Sequence, residues 1–94
     1  MTSESAIDVS SGIVVFSSDY CPFCIKAKQL LKSKQVEMHE IRVDGKAQVR
    51  NQMTELAGKR SVPQIWIHGR HIGGCDDLFA LEQQGSLDSL LANS

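Results

Sequence analysis

The spacing of apolar residues divides the chain into segments with strand-like and helix-like patterns. Ile13–Phe16 is a continuous apolar run, which predicts a strand covered on both faces of a sheet. Residues 22–33 instead carry apolar side chains at helical spacing, with lysines mainly on the opposite, solvated side. The apolar residues are Phe23, Ala27, Leu30 and Leu31, and the lysines are Lys26, Lys28 and Lys32. This part of the chain therefore predicts a strand followed by a helix.

Later segments continue the same alternation. In chain order they predict a strand over 36–43, a helix over 46–57, strands over 62–67 and 71–73, a helix from Asp76 to a break at Gly85, and a short turn over 86–91. The apolar positions of the helix over 46–57 are Val49, Met53, Leu56 and Ala57. Gly58 is suited to end that helix, and the more polar strand over 36–43 belongs at a sheet edge. The order β-α-β-α-β-β-α predicts an α/β fold, with helices on both faces of a four-stranded mixed sheet whose first two strands are parallel.

Composition and charge narrow the possible roles. The chain has 94 residues, 41% of them apolar and 22% charged, which is typical of one ordinary globular domain. We expect a flexible leader over residues 1–11 and a folded domain over residues 12–94. The net charge of −1 argues against nucleic acid, and no apolar run is long enough to span a membrane. The polar N-terminus lacks a secretory signal, so we expect a cytoplasmic protein, and we expect it to be a monomer.

Cys21-Pro22-Phe23-Cys24 is the motif that carries chemistry. It lies between the first predicted strand and the first predicted helix, where a C-x-x-C pair is typical of a thioredoxin-like redox site. Pro22 suits the first helical position, which makes Cys21 the exposed N-cap residue. The unpaired N–H groups and partial positive charge of a helix N-terminus favour a thiolate. We therefore interpret Cys21 as the attacking nucleophile and Cys24, one turn further in, as the resolving thiol.

Two further motifs each have a structural and a functional interpretation. Pro63, in a Ser-Val-Pro motif, can simply open an edge strand in the common trans form, since proline cannot donate to a sheet ladder. The alternative is a cis bond, with the Val62 backbone available to an extended thiol peptide. Residues 73–77, Gly-Gly-Cys-Asp-Asp, predict a turn in which Asp76 or Asp77 caps the last helix. The N–H groups of this helix start can also bind a carboxylate.

Together, the three motifs make the chain similar to a glutaredoxin of the small bacterial dithiol type. The resemblance extends over residues 13–91 and keeps the family's order and spacing of motifs. It implies a thioredoxin fold, a cis proline at Pro63, and reduction of protein disulfides and protein–glutathione mixed disulfides with glutathione as reductant. It also implies a role in electron transfer and cell redox homeostasis, without a metal ion. Cys21 would form the mixed disulfide with glutathione, and Cys24 would resolve protein disulfides.

The resemblance also implies where glutathione binds. Phe23 would supply an aromatic wall, and Val62, beside Pro63, would pair with the backbone of the glutathione cysteine. The remaining contacts involve the charged ends of the peptide. They are Gly74, Cys75 and Asp76 for the γ-glutamyl carboxylate, Asp77 for its amino group, and Arg50 and Arg60 for the glycine carboxylate.

The sequence departs from the family pattern at two places. Phe23 stands where the family usually has tyrosine, so the aromatic ring is kept without the hydroxyl. Ser18 stands three residues before Cys21, where the family often has lysine, and Asp19 follows it. The missing cation and the added anion predict weaker stabilisation of a Cys21 thiolate and a weaker hold on the glycine carboxylate. Cations that could compensate through space are Arg50, Lys59 and Arg60.

Alternative interpretations use some of the same residues. Some glutaredoxins bridge a [2Fe–2S] cluster with the first active-site cysteine and glutathione, but Pro22 is associated with the redox type. A protein reduced by thioredoxin reductase is another alternative, although the Gly-Gly-Cys-Asp-Asp segment favours glutathione. Cys75 is either a small buried apolar residue or a secondary redox site. A zinc site at His68, His71 and Cys75 is disfavoured, because these residues span a hairpin and a tight turn.

Overall fold

Helices and strands alternate along the chain in the computed structural model, which describes residues 7–92. They are β1 (Ile13–Ser17), α1 (Pro22–Ser33), β2 (His39–Arg42), α2 (Ala47–Ala57), β3 (Gln64–Ile67), β4 (Arg70–Gly73), α3 (Cys75–Gln84) and α4 (Leu87–Ala92). The strands form one sheet in the order β2-β1-β3-β4, with β1 parallel to β2, and with β3 antiparallel to both β1 and β4. The predicted α/β fold with a mixed four-stranded sheet is confirmed. None of the helices within residues 7–92 has the length and apolar character that a membrane crossing needs.

β1 is the centre of the fold, because helices cover both of its faces. All five of its residues are buried, and their side chains alternate between the two faces of the sheet. Ile13 and Val15 lie in a first apolar cluster, whereas Val14 and Phe16 lie in a second. The first cluster also holds Leu31 of α1, Leu78 of α3 and Leu87 of α4, and the second holds Met53 of α2 and Trp66 of β3. Helices on both faces were predicted and are confirmed.

The edge strand β2 is shorter than predicted. It covers His39–Arg42, and its parallel pairing with β1 begins where His39 lies opposite Val14. Val36 and Met38, which were predicted to lie within this strand, are half-buried and pack against the first apolar cluster instead. The length of a paired strand is limited by its partner, and β1 is only five residues long.

The boundaries near the later motifs shift by one or two residues. β3 begins at Gln64 rather than at Val62, because Pro63 has no N–H to donate to the sheet. α3 begins at Cys75, one residue before the predicted start. α2 ends as predicted at Gly58, whose φ of 77° is left-handed and whose N–H donates to the Thr54 carbonyl.

Three side chains do not lie where the helical spacing placed them. Phe23 and Leu56, both predicted on apolar stripes, are 56% and 46% exposed. Lys28, predicted on a solvated face, is half-buried and forms an ion pair with Glu40 at 2.7 Å. The same Glu40 oxygen accepts a hydrogen bond from the Ser17 hydroxyl at 2.5 Å. α1 is therefore joined to the β2 edge by an ion pair.

The predicted leader over residues 1–11 falls partly outside the described residues. Within the described part, Ile7 and Val9 are half-buried and pack against the second apolar cluster. Nearer the domain, the Gly12 carbonyl accepts a hydrogen bond from His68 N–H at 2.8 Å. The segment just before β1 thus contacts the folded domain, while the boundary at residue 12 stays a prediction.

We predict that Met53→Ala lowers the free energy of unfolding by about 2–5 kcal/mol. Met53 is fully buried and is the buried residue of α2, so its loss leaves a cavity beneath that helix. Leu56→Ala on the same helix is the matched control, because Leu56 is 46% exposed and should cost about 1 kcal/mol or less. Urea denaturation measures both values, and equal losses would contradict the assignment of Met53 as the anchor of α2.

Candidate active site

The two cysteines of the C-x-x-C motif lie at the N-terminus of α1. Cys21 is the N-cap residue, with extended backbone at φ −124° and ψ 102°, and Pro22 opens the helix, as predicted. The Cys24 N–H donates to Cys21 Sγ at 3.1 Å, so the sulfur takes the place that a hydroxyl or carboxylate oxygen usually has in an N-cap. Both cysteines are free thiols. Cys21 was expected to be exposed, but only 9% of its surface is accessible, because its sulfur lies against the Val62 carbonyl and the first turn of α1. An N–H group of the helix is thereby available to stabilise negative charge on the Cys21 sulfur.

Cys24 is held as a protonated thiol. It is completely buried, and this burial raises the pKa of Cys24 to about 12, with a further rise from its hydrogen bond to Cys21. A hydrogen bond from the Ser18 backbone and the positive charge of Lys28 act in the opposite direction. At neutral pH, Cys24 therefore does not compete with Cys21 as a nucleophile.

The Cys21 thiol faces the residue before the proline of the second motif. Its S–H donates to the Val62 carbonyl at 3.6 Å. The Val62–Pro63 peptide bond is cis, so the cis alternative is confirmed. Val62 and Pro63 also line an open groove, whose lining residues do not include Cys21 itself. Val62 therefore connects the groove to the Cys21 thiol.

The groove brings together most of the predicted glutathione residues. Those that line it are Phe23, Val62, Pro63, Gly74, Cys75, Asp76 and Asp77, together with Lys59, Ser61 and Gln64. They come from three places in the chain, namely the first turn of α1, the segment before β3, and the start of α3. Sequence reasoning did not assign Ser61 and Gln64 to the site. The signal that could have assigned them to the site is their place in the sequence, on either side of Val62-Pro63.

The start of α3 closes one end of the groove. Gly74 is the N-cap residue, and its N–H donates to Asp77 Oδ2 at 3.0 Å. An acidic residue was predicted to cap this helix, and Asp77 does so from the third helical position. Gly73 has a φ of 115°, and a β-carbon there would lie 2.2 Å from the same Asp77 oxygen. Gly73 is therefore required by this cap, and one Asp77 oxygen is already engaged within the protein.

Cys75 lies in the wall of the groove but is poorly exposed. Only 7% of its surface is accessible, and it also belongs to the first apolar cluster. Burial raises the pKa of the Cys75 thiol, and the negative charge of Asp76 raises it further. Cys21 is hardly more accessible, at 9%, so exposure alone does not separate the two thiols. The apolar neighbours of Cys75 and its raised pKa favour its interpretation as a small apolar residue over that of a secondary redox site.

The cations considered for the glycine carboxylate differ in their contacts and in whether they line the groove. Arg50 Nε donates to the Arg60 carbonyl at 3.2 Å, and Arg60 Nη1 donates to Asn51 Oδ1 at 3.1 Å. Neither arginine lines the groove, whereas Lys59 does. Among the three compensating cations considered, Lys59 is thus the one that the fold brings to the groove.

The loop before Cys21 is tied to the β2 side of the sheet by contacts that sequence reasoning missed. The Ser18 hydroxyl donates to Asp44 Oδ1 at 2.5 Å, and the Asp19 N–H donates to Asp44 Oδ2 at 2.7 Å. Arg42 Nη1 lies 3.1 Å from Asp19 Oδ1. Asp19 was predicted to act against a thiolate at Cys21, and this ion pair offsets its charge.

The two hairpin histidines, His68 and His71, contact other residues of the protein and are not arranged to bind one metal ion together. The ring of His71 packs on Trp66, with centroids 4.6 Å apart, and its Nε2 lies 2.8 Å from Gln64 Oε1. His68 Nε2 lies 3.2 Å from the Leu91 carbonyl. Within residues 7–92, no group of three or more histidine, cysteine or acidic side chains is arranged to hold a metal ion. Trp66 packs edge-on against Phe16, which confirms its predicted role in strand packing.

These features define a thioredoxin-fold thiol–disulfide oxidoreductase. The defining combination is a C-x-x-C pair at the start of a helix that follows a buried strand, with a cis proline beside the first thiol. A comparison with family models then specifies the family, because the Glutaredoxin model matches residues 13–72. The chain belongs to the glutaredoxin family, whose members are glutathione-dependent thiol–disulfide oxidoreductases of redox homeostasis. Glutathione is the co-substrate of this activity.

Individual relatives agree with this assignment. A glutaredoxin of Pseudomonas aeruginosa is 51% identical over 80 residues, which are 85% of this chain and 95% of that protein. The solution structure of glutaredoxin from Brucella melitensis has a TM-score of 0.77 at 41% identity and covers 92% of this chain and 94% of its own. A buckwheat glutaredoxin–glutathione complex has a TM-score of 0.82 at 31% identity, with coverage of 88% and 79%.

We predict that iodoacetamide at neutral pH modifies Cys21 in the reduced protein and leaves Cys24 unmodified. The reason is that Cys24 is completely inaccessible and its pKa is raised to about 12, so its reactive thiolate is scarce, whereas 9% of the Cys21 surface is accessible. Mass spectrometry of the digested protein identifies the labelled thiol. The same reaction in denaturant is the control, in which all three cysteines should react. Equal labelling of Cys21 and Cys24 in the folded protein would contradict the prediction.

Proposed function

We propose that Cys21 is the nucleophile and that it carries out the first exchange with every substrate. Its sulfur attacks one sulfur of a substrate disulfide, a Cys21–substrate disulfide forms, and the other substrate sulfur leaves as a thiolate that takes a proton from water. The observation that carries this proposal is the Cys24 N–H directed at Cys21 Sγ at 3.1 Å. The same N–H would stabilise negative charge on Cys21 before attack and when it later leaves.

Two routes then lead back to the reduced protein. When the adduct is with glutathione, a second glutathione thiolate attacks it, which releases oxidised glutathione and the Cys21 thiol. When the adduct is with a protein, Cys24 loses its proton and attacks Cys21 Sγ, which releases the reduced protein and leaves a Cys21–Cys24 disulfide. Two glutathione molecules then reduce this disulfide. In the first route, one glutathione thiol is consumed, and the glutathione of the mixed disulfide becomes the other half of oxidised glutathione. In the second route, two glutathione thiols supply the two electrons that the protein disulfide accepts.

We propose that glutathione lies in the groove with its sulfur at Cys21. The Val62 backbone would pair with the glutathione cysteine, and Phe23 would flank it. The start of α3 at Gly74–Asp76 would receive the γ-glutamyl carboxylate, because a helix N-terminus presents unpaired N–H groups to an anion. Lys59, which also lines the groove, would attract the glycine carboxylate. Arg50 and Arg60 would act only through longer-range attraction.

We propose that the substrates include glutathionylated and disulfide-containing proteins, which the protein would reduce as a monomer in the cytoplasm. The exposed rings next to Cys21 support protein clients, since Tyr20 is 92% exposed and Phe23 is 56% exposed. Large exposed apolar side chains within residues 7–92 are otherwise Ile25 and Leu56. Such scattered residues are normal for a monomer surface, whereas the pair beside the thiol is suited to contact a client.

We predict that Cys24→Ser retains reduction of a glutathione mixed disulfide, whereas Cys21→Ser abolishes it. The assay couples oxidised glutathione to glutathione reductase and NADPH. Reduction of a protein disulfide should need both cysteines, because only Cys24 can release a client from Cys21 without a second glutathione. Absence of glutathione-dependent activity in the wild type, together with reduction of its disulfide by thioredoxin reductase, would overturn the glutathione route.

We predict that Lys59→Ala raises the KM for glutathione by about two- to fivefold, the effect of one exposed ion pair. kcat should change little, because a cation that binds the glycine carboxylate holds glutathione equally before and during the exchange. Lys32→Ala is the matched control, since Lys32 is an exposed lysine in the last turn of α1 and should leave KM unchanged. A larger rise in KM for Arg60→Ala than for Lys59→Ala would show that Arg60 is the main cation.

A further inference from the structure

Gln64 is a buried polar residue in the wall of the groove. Only 1% of its surface is accessible, although it is the first residue of β3 and lines the groove. A buried amide costs free energy unless its donors and its acceptor find partners. Gln64 Nε2 donates to the Ser61 carbonyl at 3.0 Å, and Gln64 Oε1 lies 2.8 Å from His71 Nε2. One side chain thus joins β4 to the segment before β3.

These contacts fix the direction of the Gln64 amide and the proton of the histidine. A carbonyl oxygen can only accept, so the amide nitrogen must face Ser61, whose hydroxyl oxygen also accepts from it at 3.3 Å. The amide oxygen then faces His71 and can only accept, so His71 Nε2 carries a proton. The His71 ring packs on Trp66, which is its partner in the pairing of β3 with β4. We call the hydrogen bonds from His71 to Gln64 and from Gln64 to Ser61 the Gln64 bridge.

The Gln64 bridge ends beside the part of the groove wall that faces the nucleophile. Ser61 directly precedes Val62, whose carbonyl accepts from the Cys21 S–H at 3.6 Å. Residues 58–61, which lead from α2 to this point, are all exposed. An exposed backbone segment has few apolar contacts to define its position. The hydrogen bond from Gln64 therefore holds this segment from inside the protein, at the residue next to Val62.

We propose that Gln64 is a positioning residue for glutathione, in which it holds Ser61 so that the adjacent Val62 backbone is presented to the glutathione cysteine. The proposal rests on the proposed binding of glutathione against Val62. Gln64 acts through Ser61 and Val62, and not on the Cys21 sulfur. A disulfide without a peptide backbone cannot pair with Val62 in this way. The Gln64 bridge should therefore favour glutathione over a non-peptide disulfide.

Two disulfides that release the same coloured aromatic thiolate separate glutathione binding from attack by Cys21. The glutathionyl reagent joins the aromatic thiol to glutathione, and the aromatic reagent joins two aromatic thiols. Cys21 attacks the glutathione sulfur of the first or one aromatic sulfur of the second, its proton passes to water, and the other sulfur leaves as the coloured thiolate. Stopped flow with reduced protein, without free glutathione, measures the concentration-dependent release of colour. Cys21→Ser should lose this release with both reagents.

Gln64→Met should lower the second-order rate constant for the glutathionyl reagent by about three- to tenfold, the effect of about one hydrogen bond. Methionine keeps the unbranched shape of glutamine but can neither donate to Ser61 nor accept from His71. The rate constant for the aromatic reagent should change by no more than about twofold, because this reagent has no peptide group for Val62. The matched control is Gln83→Met, which makes the same change at an exposed glutamine of α3 and should affect neither reagent.

His71→Phe tests the other half of the Gln64 bridge. It keeps an aromatic ring on Trp66 but loses the N–H that holds Gln64 Oε1, so the reaction with the glutathionyl reagent should again be slowed more. If His71 acts through Gln64, the double variant should be no slower than Gln64→Met alone. Should Gln64→Met fail to fold, the difference between the two reagents in His71→Phe decides. Equal slowing with both reagents, no slowing with the glutathionyl reagent, or additive effects of the two changes would overturn the proposal.

A competition experiment separates failure of the proposed glutathione site from failure of this proposal. S-methylglutathione has no free thiol, and it should slow the reaction of the wild type with the glutathionyl reagent by occupying the groove. Absence of competition would overturn the proposed binding of glutathione and the role of Gln64 with it. Competition in the wild type, together with a wild-type rate constant for Gln64→Met, would overturn the role of Gln64 alone.

Discussion

The hydrogen bond from the Cys24 N–H to Cys21 Sγ is the interaction on which the active site depends. It exists because β1 is buried on both faces and delivers the chain to the start of α1 in one orientation, with Pro22 at the first helical position. The sulfur then occupies a position where a helix normally binds an oxygen acceptor. Cys24 lies one turn further along the helix and is completely buried.

The binding groove forms where two segments of the chain meet, namely the segment before β3 and the start of α3. The segment before β3 brings Val62 and the cis Pro63 against the Cys21 thiol, and the start of α3 completes the wall with Gly74 and Cys75. Gly74 lies close to this proline, because a β-carbon there would be 3.4 Å from the Pro63 carbonyl. The antiparallel pairing of β3 and β4 fixes this meeting, since β4 ends where α3 begins.

Local patterns sufficed to predict the elements and the position of the thiols, but they did not predict the polar contacts between elements. Hydrophobic periodicity predicted β1, α1 and α2, since burial of an apolar stripe is a local property of sequence. It failed at Phe23 and Leu56, because an apolar residue on a stripe can also line a groove or remain exposed. The hydrogen bonds of Asp44 were not predicted for a different reason. Its partners Ser18 and Asp19 are about 25 residues away in the sequence, and the parallel pairing of β1 and β2 brings them together.

The different environments of the two thiols impose an order on the chemistry. The rise in the pKa of Cys24 comes first from burial and second from its hydrogen bond to Cys21. Once Cys21 is part of a mixed disulfide, its sulfur is a weaker hydrogen-bond acceptor for the Cys24 thiol, so this second cause weakens. Cys24 thus becomes easier to deprotonate only after Cys21 has reacted. The attack by Cys24 on the mixed disulfide therefore follows the attack by Cys21 on the substrate and does not compete with it.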